Sequence, residues 1–191
     1  MIGLQCKSTA MKVYILQVHT GQEHQTAQQL RERTASPQWK DDPINVHALE
    51  RELRIRIRGQ KKLVKRPLYP GYIFIESDSS HEVLLRLIRG VATAVRYLQS
   101  NTDITPIQAD EEKLFRQLMS CGSTLPRSQV RLRKHEAILV IDGPLKGMEG
   151  IIVRIDRRRE RVKVRLMMSN TPFTFDMGIE IVEPNHADTK E

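Results

Sequence analysis

Arginine and lysine are the side chains through which this sequence could do chemistry, and they are clustered. Between Arg51 and Arg66 there are eight Lys or Arg residues against one acid, Glu52, and between Arg127 and Arg165 there are twelve against five. In the first cluster, Leu53-Arg54-Ile55-Arg56-Ile57-Arg58 alternates strictly, which puts Arg54, Arg56 and Arg58 on one face of a strand. Lys61, Lys62, Lys65 and Arg66 follow on the far side of Gly59. In the second cluster, Arg157, Arg158 and Arg159 lead into Arg161, Lys163 and Arg165, which alternate with Val162 and Val164 and so share a face. Closely spaced guanidinium groups suit a nucleic-acid backbone, because they bind phosphate oxygens as forks and release condensed counterions. A solvated strand face would carry the same residues, and for both clusters the two readings stand together.

Other chemistries find little support. The six histidines (His19, His24, His47, His81, His135, His186) include no i, i+4 pair, and Cys6 and Cys121 are too far apart for a zinc knuckle or a disulfide framework. No Gly-x-Ser-x-Gly element occurs, and Gly147 is followed by Met148 where a phosphate-cradling loop needs Lys and Ser or Thr. The expectation is a protein without catalytic site, metal or cofactor. Lys and Arg outnumber Asp and Glu by 31 to 23, a net charge of +8 that favours a polyanionic partner. No run approaches the ~20 apolar residues that span a bilayer, so no membrane partner is expected, and two isolated cysteines fit a reducing cytoplasm.

The secondary structure that carries these side chains follows from periodicity. Met11 to Val18 reads as a strand. Thr20 and Glu23 have capping-box spacing ahead of a helix to about Arg33, which Ser36-Pro37 ends. Leu53–Arg58 is a strand, the Gly59–Lys62 stretch a turn or hairpin tip, and Gly71–Glu76 a returning strand. Ser79 and Glu82 begin a second helix with a Leu84, Leu87, Ile88 stripe that stops at Gly90. A short strand spans Ala94–Leu98. Asp110 caps a third helix buried through Leu114, Phe115, Leu118 and Met119. Ser123–Ser128 reads as a linker. Beyond it come five short strands, Ala137–Ile141, Ile151–Ile155, Val162–Met167, Pro172–Phe175 and Ile179–Val182, the pattern of a small barrel. The fold class is therefore α+β: a sandwich of helices on an antiparallel sheet, then a β-barrel.

Two motifs make a family visible. Pro70-Gly71-Tyr72-Ile73-Phe74-Ile75 resembles the strand of the NusG-family N-terminal domain that begins Pro-Gly-Tyr. The segment from Asp142 to Val153, with Gly143, Pro144, Gly147 and Gly150 shaping its loop, resembles the KOW motif that opens an SH3-like barrel. The resemblance runs from Met11 over nearly the whole chain. It implies a polymerase-binding domain at 11–122, a linker at 123–129 and a KOW domain at 130–184, with 1–10 and 185–191 as flexible termini. Within the family, Gly143–Gly150, Ile155-Asp156-Arg157-Arg158-Arg159 and Gly178–Val182 look most like the specialised LoaP-type antitermination paralogues. Met168-Ser169-Asn170-Thr171-Pro172 lacks the Gly-Arg element that housekeeping members carry there.

The resemblance implies a monomeric transcription elongation and antitermination factor that binds RNA polymerase at the clamp helices of its largest subunit. Leu68, Tyr69 and Tyr72 would form the hydrophobic contact, with His19 and Thr20 beside it. Thr20 as a helix cap, and the three apolar residues as core, are the plainer alternatives. Arg54, Arg56, Arg58, Lys61, Lys62 and Arg89 would face non-template or upstream DNA, although Arg89 also suits a helix C-terminus on dipole grounds. Arg157, Arg158, Arg159, Arg161, Lys163 and Arg165 would hold a nascent RNA hairpin. The alternatives are a general factor coupling polymerase to Rho or the ribosome, and a ribosome-associated KOW protein.

Overall fold

The computed structural model describes residues 11–98, 104–132, 138–168 and 171–182. In chain order the elements are β1 (Lys12–Val18), α1 (Glu23–Thr34), β2 (Ile44–His47), β3 (Glu50–Ile57), β4 (Gln60–Pro67), β5 (Tyr72–Ser77), α2 (His81–Ile88) and β6 (Ala94–Tyr97). They continue with α3 (Ala109–Met119), β7 (Thr124–Leu125), β8 (Ser128–Leu132), β9 (Ile138–Asp142), β10 (Ile152–Asp156), β11 (Arg161–Met168) and β12 (Thr171–Ile181). Two compact units result, and the chain passes between them more than once. The first comprises 1–47 and 72–107, and the second 48–71 and 108–191.

The first unit is built on an antiparallel sheet of order β2-β5-β1-β6. β1 is its centre because Val13, Tyr14, Ile15 and Leu16 are all buried, and it pairs with β5 in the register Ile15↔Phe74. Helix α1 buries Ala27 and Leu30, and α2 buries Leu84 and Leu87. The Arg31 Nε donates to the Val46 carbonyl at 2.9 Å, and Arg33 Nη1 donates to the Leu87 and Arg89 carbonyls at 2.9 and 2.7 Å, so α1 ties to both β2 and the end of α2. Arg86 lies over the Trp39 ring at 4.6 Å and pairs with Asp42 at 3.0 Å.

The helix starts differ from expectation. Gly21 turns the chain at φ +88, so Gln22 rather than Thr20 precedes α1, and the Glu23 carboxylate accepts from the Gly21 N–H at 3.0 Å. Ser80, not Ser79, precedes α2, and Ser79 N–H instead donates to Ser77 Oγ. Gln108, in extended conformation, starts α3 in place of Asp110, with Glu111 accepting from its N–H at 2.9 Å. Strand β2 has no counterpart among the elements expected from periodicity.

The second unit holds a β4-β3-β7 sheet and a curled five-stranded sheet of order β10-β11-β12-β8-β9. Within the stretch expected to be a linker, Thr124 and Leu125 pair in parallel with Glu50 and Arg51, and Leu125 is fully buried. The two segments expected at Pro172–Phe175 and Ile179–Val182 are one strand, β12, antiparallel to β11 and parallel to β8. β8 supplies the fifth strand. In the 143–150 loop, positive φ is used at Gly143 (+99) and Gly147 (+76) but not at Gly150, whose surroundings are open. Gly143 also allows close approach, since a Cβ there would lie 2.8 Å from Ser128 Cα. Ser128 Oγ then accepts from the Leu145 N–H at 3.1 Å. The expectations for 1–10, 185–191, Ala137, Ser169 and Asn170 lie outside the described residues.

Candidate nucleic-acid interface

The hairpin β3–β4 turns through Arg58 (φ 49) and Gly59 (φ 81), so the turn is one step earlier than the Gly59–Lys62 stretch suggests. Its register sets Arg56 opposite Lys61 and Ile55 opposite Lys62. Because facing residues share a side of the sheet, Lys61 joins the arginine face while Lys62 sits on the other. The apolar face is covered only at the base, where Leu53 is buried, whereas Ile57 is 38% exposed; Leu63, opposite Arg54 on the arginine face, is 54% exposed.

The hairpin packs on β12. Gly178 makes this approach possible, since a Cβ there would run into the Glu52 carbonyl oxygen. Tyr69, 5% exposed, sits edge-on to Phe173 and Phe175 with ring centroids 5.9 and 5.0 Å away. Arg51 lies over the Phe175 ring at 5.7 Å and donates to the Leu68 carbonyl at 2.9 Å. Burial pushes the Tyr69 phenol well above the ordinary tyrosine range, with Arg51 opposing.

This packing opens a cleft of ≈ 930 Å³ between the hairpin and strands β10 and β11. Arg54, Arg56 and Lys61 line one wall, and Arg154, Arg158, Arg159, Arg161 and Lys163 line the other, eight cations against the carboxylates of Asp156, Glu160 and Asp176. The two clusters that the sequence separates by about a hundred positions therefore face one space. Glu160 is the hub: its carboxylate meets Arg54 Nη1 at 2.9 Å, Lys61 Nζ at 2.8 Å and Arg127 Nη2 at 2.8 Å. The Lys61 hydrogen bond, aided by the charges of Arg54 and Arg127 and opposed by burial, holds Glu160 below the usual carboxylate range. Arg127 also donates to the Ile179 carbonyl. On β11, Arg161 and Lys163 share Asp176 at 3.6 and 3.3 Å.

Several expected residues lie elsewhere. Arg58, Lys62, Arg157 and Arg165 are exposed but do not line the cleft. His19, Thr20 and Arg89 are exposed on the first unit, and Tyr72 there is half-buried. Leu68 is fully buried in the second unit. Sequence reasoning missed Arg154, Arg127 and Glu160 as partners in this site. Arg154 had a signal, its place in the second basic cluster. Glu160 had none, because an acid among arginines reads as local compensation. Among the described residues no three His, Cys, Asp or Glu side chains gather to hold a metal, and no helix is long and apolar enough to cross a membrane.

Residues 11–116 match the family described as "Transcription termination factor nusG", and residues 136–165 match the KOW motif. The chain belongs to the NusG family. It is 29% identical over 158 residues to the transcription termination/antitermination protein NusG of Bacillus subtilis (strain 168), covering 81% of this chain and 88% of that one. With the NusG of Xylella fastidiosa (strain Temecula1 / ATCC 700964) identity is 22% over 179 residues, covering 89 and 97%. A solved structure described as "Domain interaction in Thermotoga maritima NusG" superposes with a TM-score of 0.53 at 18% identity, covering 88% of this chain and 93% of that one, and so shares its fold. This NusG-family member thus places the arginine strand of its family domain and the basic strands beyond it around one cleft.

Proposed function

We propose that this chain is a transcription elongation and antitermination factor that binds RNA polymerase through residues 11–122 and RNA or a partner protein through the KOW segment, 130–184. Family membership and the names of its relatives support the polymerase half. The observation that carries the nucleic-acid half is the cleft, where eight cations outnumber three carboxylates. Arg54, Arg56, Lys61, Arg158, Arg159, Arg161 and Lys163 are its contacts in this reading, with Arg58, Lys62, Arg89, Arg157 and Arg165 as outlying ones.

For the polymerase, the reading assigns the clamp helices of the largest subunit as the target and His19, Thr20 and Tyr72 as accessible contacts. Tyr69 joins them only where Phe173 and Phe175 draw aside, and Leu68 only where it leaves the core. The finer assignment is the LoaP-type branch, supported by Gly143–Gly150, Asp156–Arg159 and the charge of the C-terminal sheet. That sheet closing as an SH3-like barrel, and a cytoplasmic monomer as the working form, belong to the same reading.

The test is transcription by purified polymerase on a template with its leader and a terminator. Added protein is expected to raise read-through and to co-purify with polymerase subunits. Unchanged read-through with no polymerase retained would overturn the proposal, and ribosomal subunits retained instead would favour a ribosome-associated KOW protein.

A further inference from the structure

Glu160 offers one carboxylate to three cations, and their geometry is that of a bound anion. Arg54 and Lys61 reach it from the hairpin at 2.9 and 2.8 Å, and Arg127 from behind at 2.8 Å. The carboxylate is held in place: Glu160 has φ 53, and its carbonyl accepts from the Ile179 N–H at 2.9 Å. Farther along the same cleft, Arg56, Arg154 and Arg158 are exposed and meet no carboxylate at ion-pair distance among the described residues. The row of cations continues where the built-in anion stops.

We infer that the cleft is a single groove for a phosphodiester backbone, gripped from both walls, in which the Glu160 carboxylate stands where one phosphate would bind Arg54 and Lys61. The inference rests on the nucleic-acid half of the proposed function and adds the path and the competitor. A phosphate carries one negative charge and presents oxygens to the same donors at the same distances. Arriving there, it takes over Arg54 and Lys61 and frees them from Glu160. Displacement does not strand a buried charge, because Arg127, only 8% exposed, stays bound to Glu160 and to the Ile179 carbonyl. Arg56 on one wall and Arg154 and Arg158 on the other receive the neighbouring phosphates. Arg161 and Lys163, shared with Asp176, mark the groove's neutralised edge.

The experiment uses the full chain and three labelled probes: a ten-nucleotide RNA strand, the DNA strand of the same sequence, and an RNA hairpin. Dissociation constants are measured across a salt series. Glu160→Gln removes the competing charge, and Glu160→Asn does so with a residue that tolerates positive φ. Both are expected to bind about five-fold tighter, the scale of one part-exposed ion pair removed from competition. Arg56→Gln and Arg154→Gln, one on each wall, should each flatten the salt slope by roughly 0.7–0.9, as expected when one phosphate fewer is neutralised. Lys113→Gln, exposed on α3 and outside the cleft, should leave the slope unchanged.

Tightening on all three probes supports the groove as a reader of backbone alone, and tightening on the hairpin alone supports it as a site for paired RNA. Folded Glu160 variants that bind like wild type or more weakly overturn the inference, as does a slope that responds to one wall only. Should the Glu160 variants fail to fold, the two wall variants still decide. Wild-type binding with unresponsive Glu160 variants sinks only this inference. No binding to any probe, with polymerase still retained, sinks the nucleic-acid half of the proposed function with it.

Discussion

Glu160 and Gly178 hold the β3–β4 hairpin to the C-terminal sheet by opposite means, one by charge and one by having no side chain. Because the folded pKa of Glu160 is depressed, its contribution to stability is complete above the ordinary glutamate value of about 4.3 and is lost as pH falls through the depressed one. The difference in unfolding free energy between wild type and Glu160→Gln should therefore be constant from pH 7 to about 5 and shrink below about pH 4. Urea titrations at a series of pH values check this, and a constant difference down to about pH 3 would contradict it. Tyr69 carries the opposite sign. Its raised pKa means that the neutral phenol is the one the fold accepts, and stability should decline as pH rises beyond about 10. At Gly178 the argument is steric. Gly178→Ala drives a methyl group into the Glu52 carbonyl oxygen and against Arg127 Cγ, 2.9 Å away. A cost of about 2 kcal/mol in thermal unfolding is expected, with faster hydrogen exchange in β3 than in β1.

At the scale of elements, the hairpin turn is the place where sequence and geometry disagree. Arg58 occupies a left-handed position that favours Asn, Asp or Gly in a two-residue hairpin. Arg58→Asn is therefore expected to stabilise the protein by about 0.5–1 kcal/mol. Since Arg58 lies outside the cleft, the same variant should leave the salt slope of nucleic-acid binding closer to wild type than Arg56→Gln does. Thermal unfolding and the salt series measure both. The elements legible in the sequence are those with long, regular periods: β1, the Leu84–Leu87 stripe of α2, and the alternation of Arg161, Lys163 and Arg165 around Val162 and Val164. β2 is only four residues long, with no period to detect. β8 begins inside the expected linker, and with Gln129 exposed and Arg131 half-buried beside the buried Ser128 and Val130 it shows no strand period until β12 pairs with it. β12 reads as two strands because Asp176 and Gly178 break the run of apolar residues in the sequence, yet both alternate with the buried Phe175, Met177 and Ile179: Asp176 faces Lys163 across the ladder and Gly178 admits the hairpin. The expected caps of α1 and α3 are displaced because the turn at Gly21 and the extended Gln108 decide where those helices begin. Of the candidate site, residue types and strand faces are readable. The meeting of Arg54 with Glu160 is not, because 106 residues separate them and no local pattern encodes the pairing.

At the scale of the molecule, a fragment running from about Pro126 to Glu191 contains all five strands of the C-terminal sheet but neither β3 nor β4. It is expected to keep its β-sheet signal, to melt below the transition of the full chain for want of Tyr69 against Phe175, and to bind an RNA hairpin with a shallower salt slope because one wall of the cleft is missing. Circular dichroism and the same salt series compare the two, and an equal slope would mean that the hairpin takes no part. The interleaving of the two units also sets a timetable. The ribosome releases Arg54 long before Glu160, and at about 5–20 residues per second a gap of 106 residues lasts roughly 5–20 s. For that interval the newborn hairpin has Glu52 without its Gly178 neighbour on β12 and Lys61 without its carboxylate. A polyanion close to the exit tunnel, such as ribosomal RNA, meets those cations before the protein's own anion can.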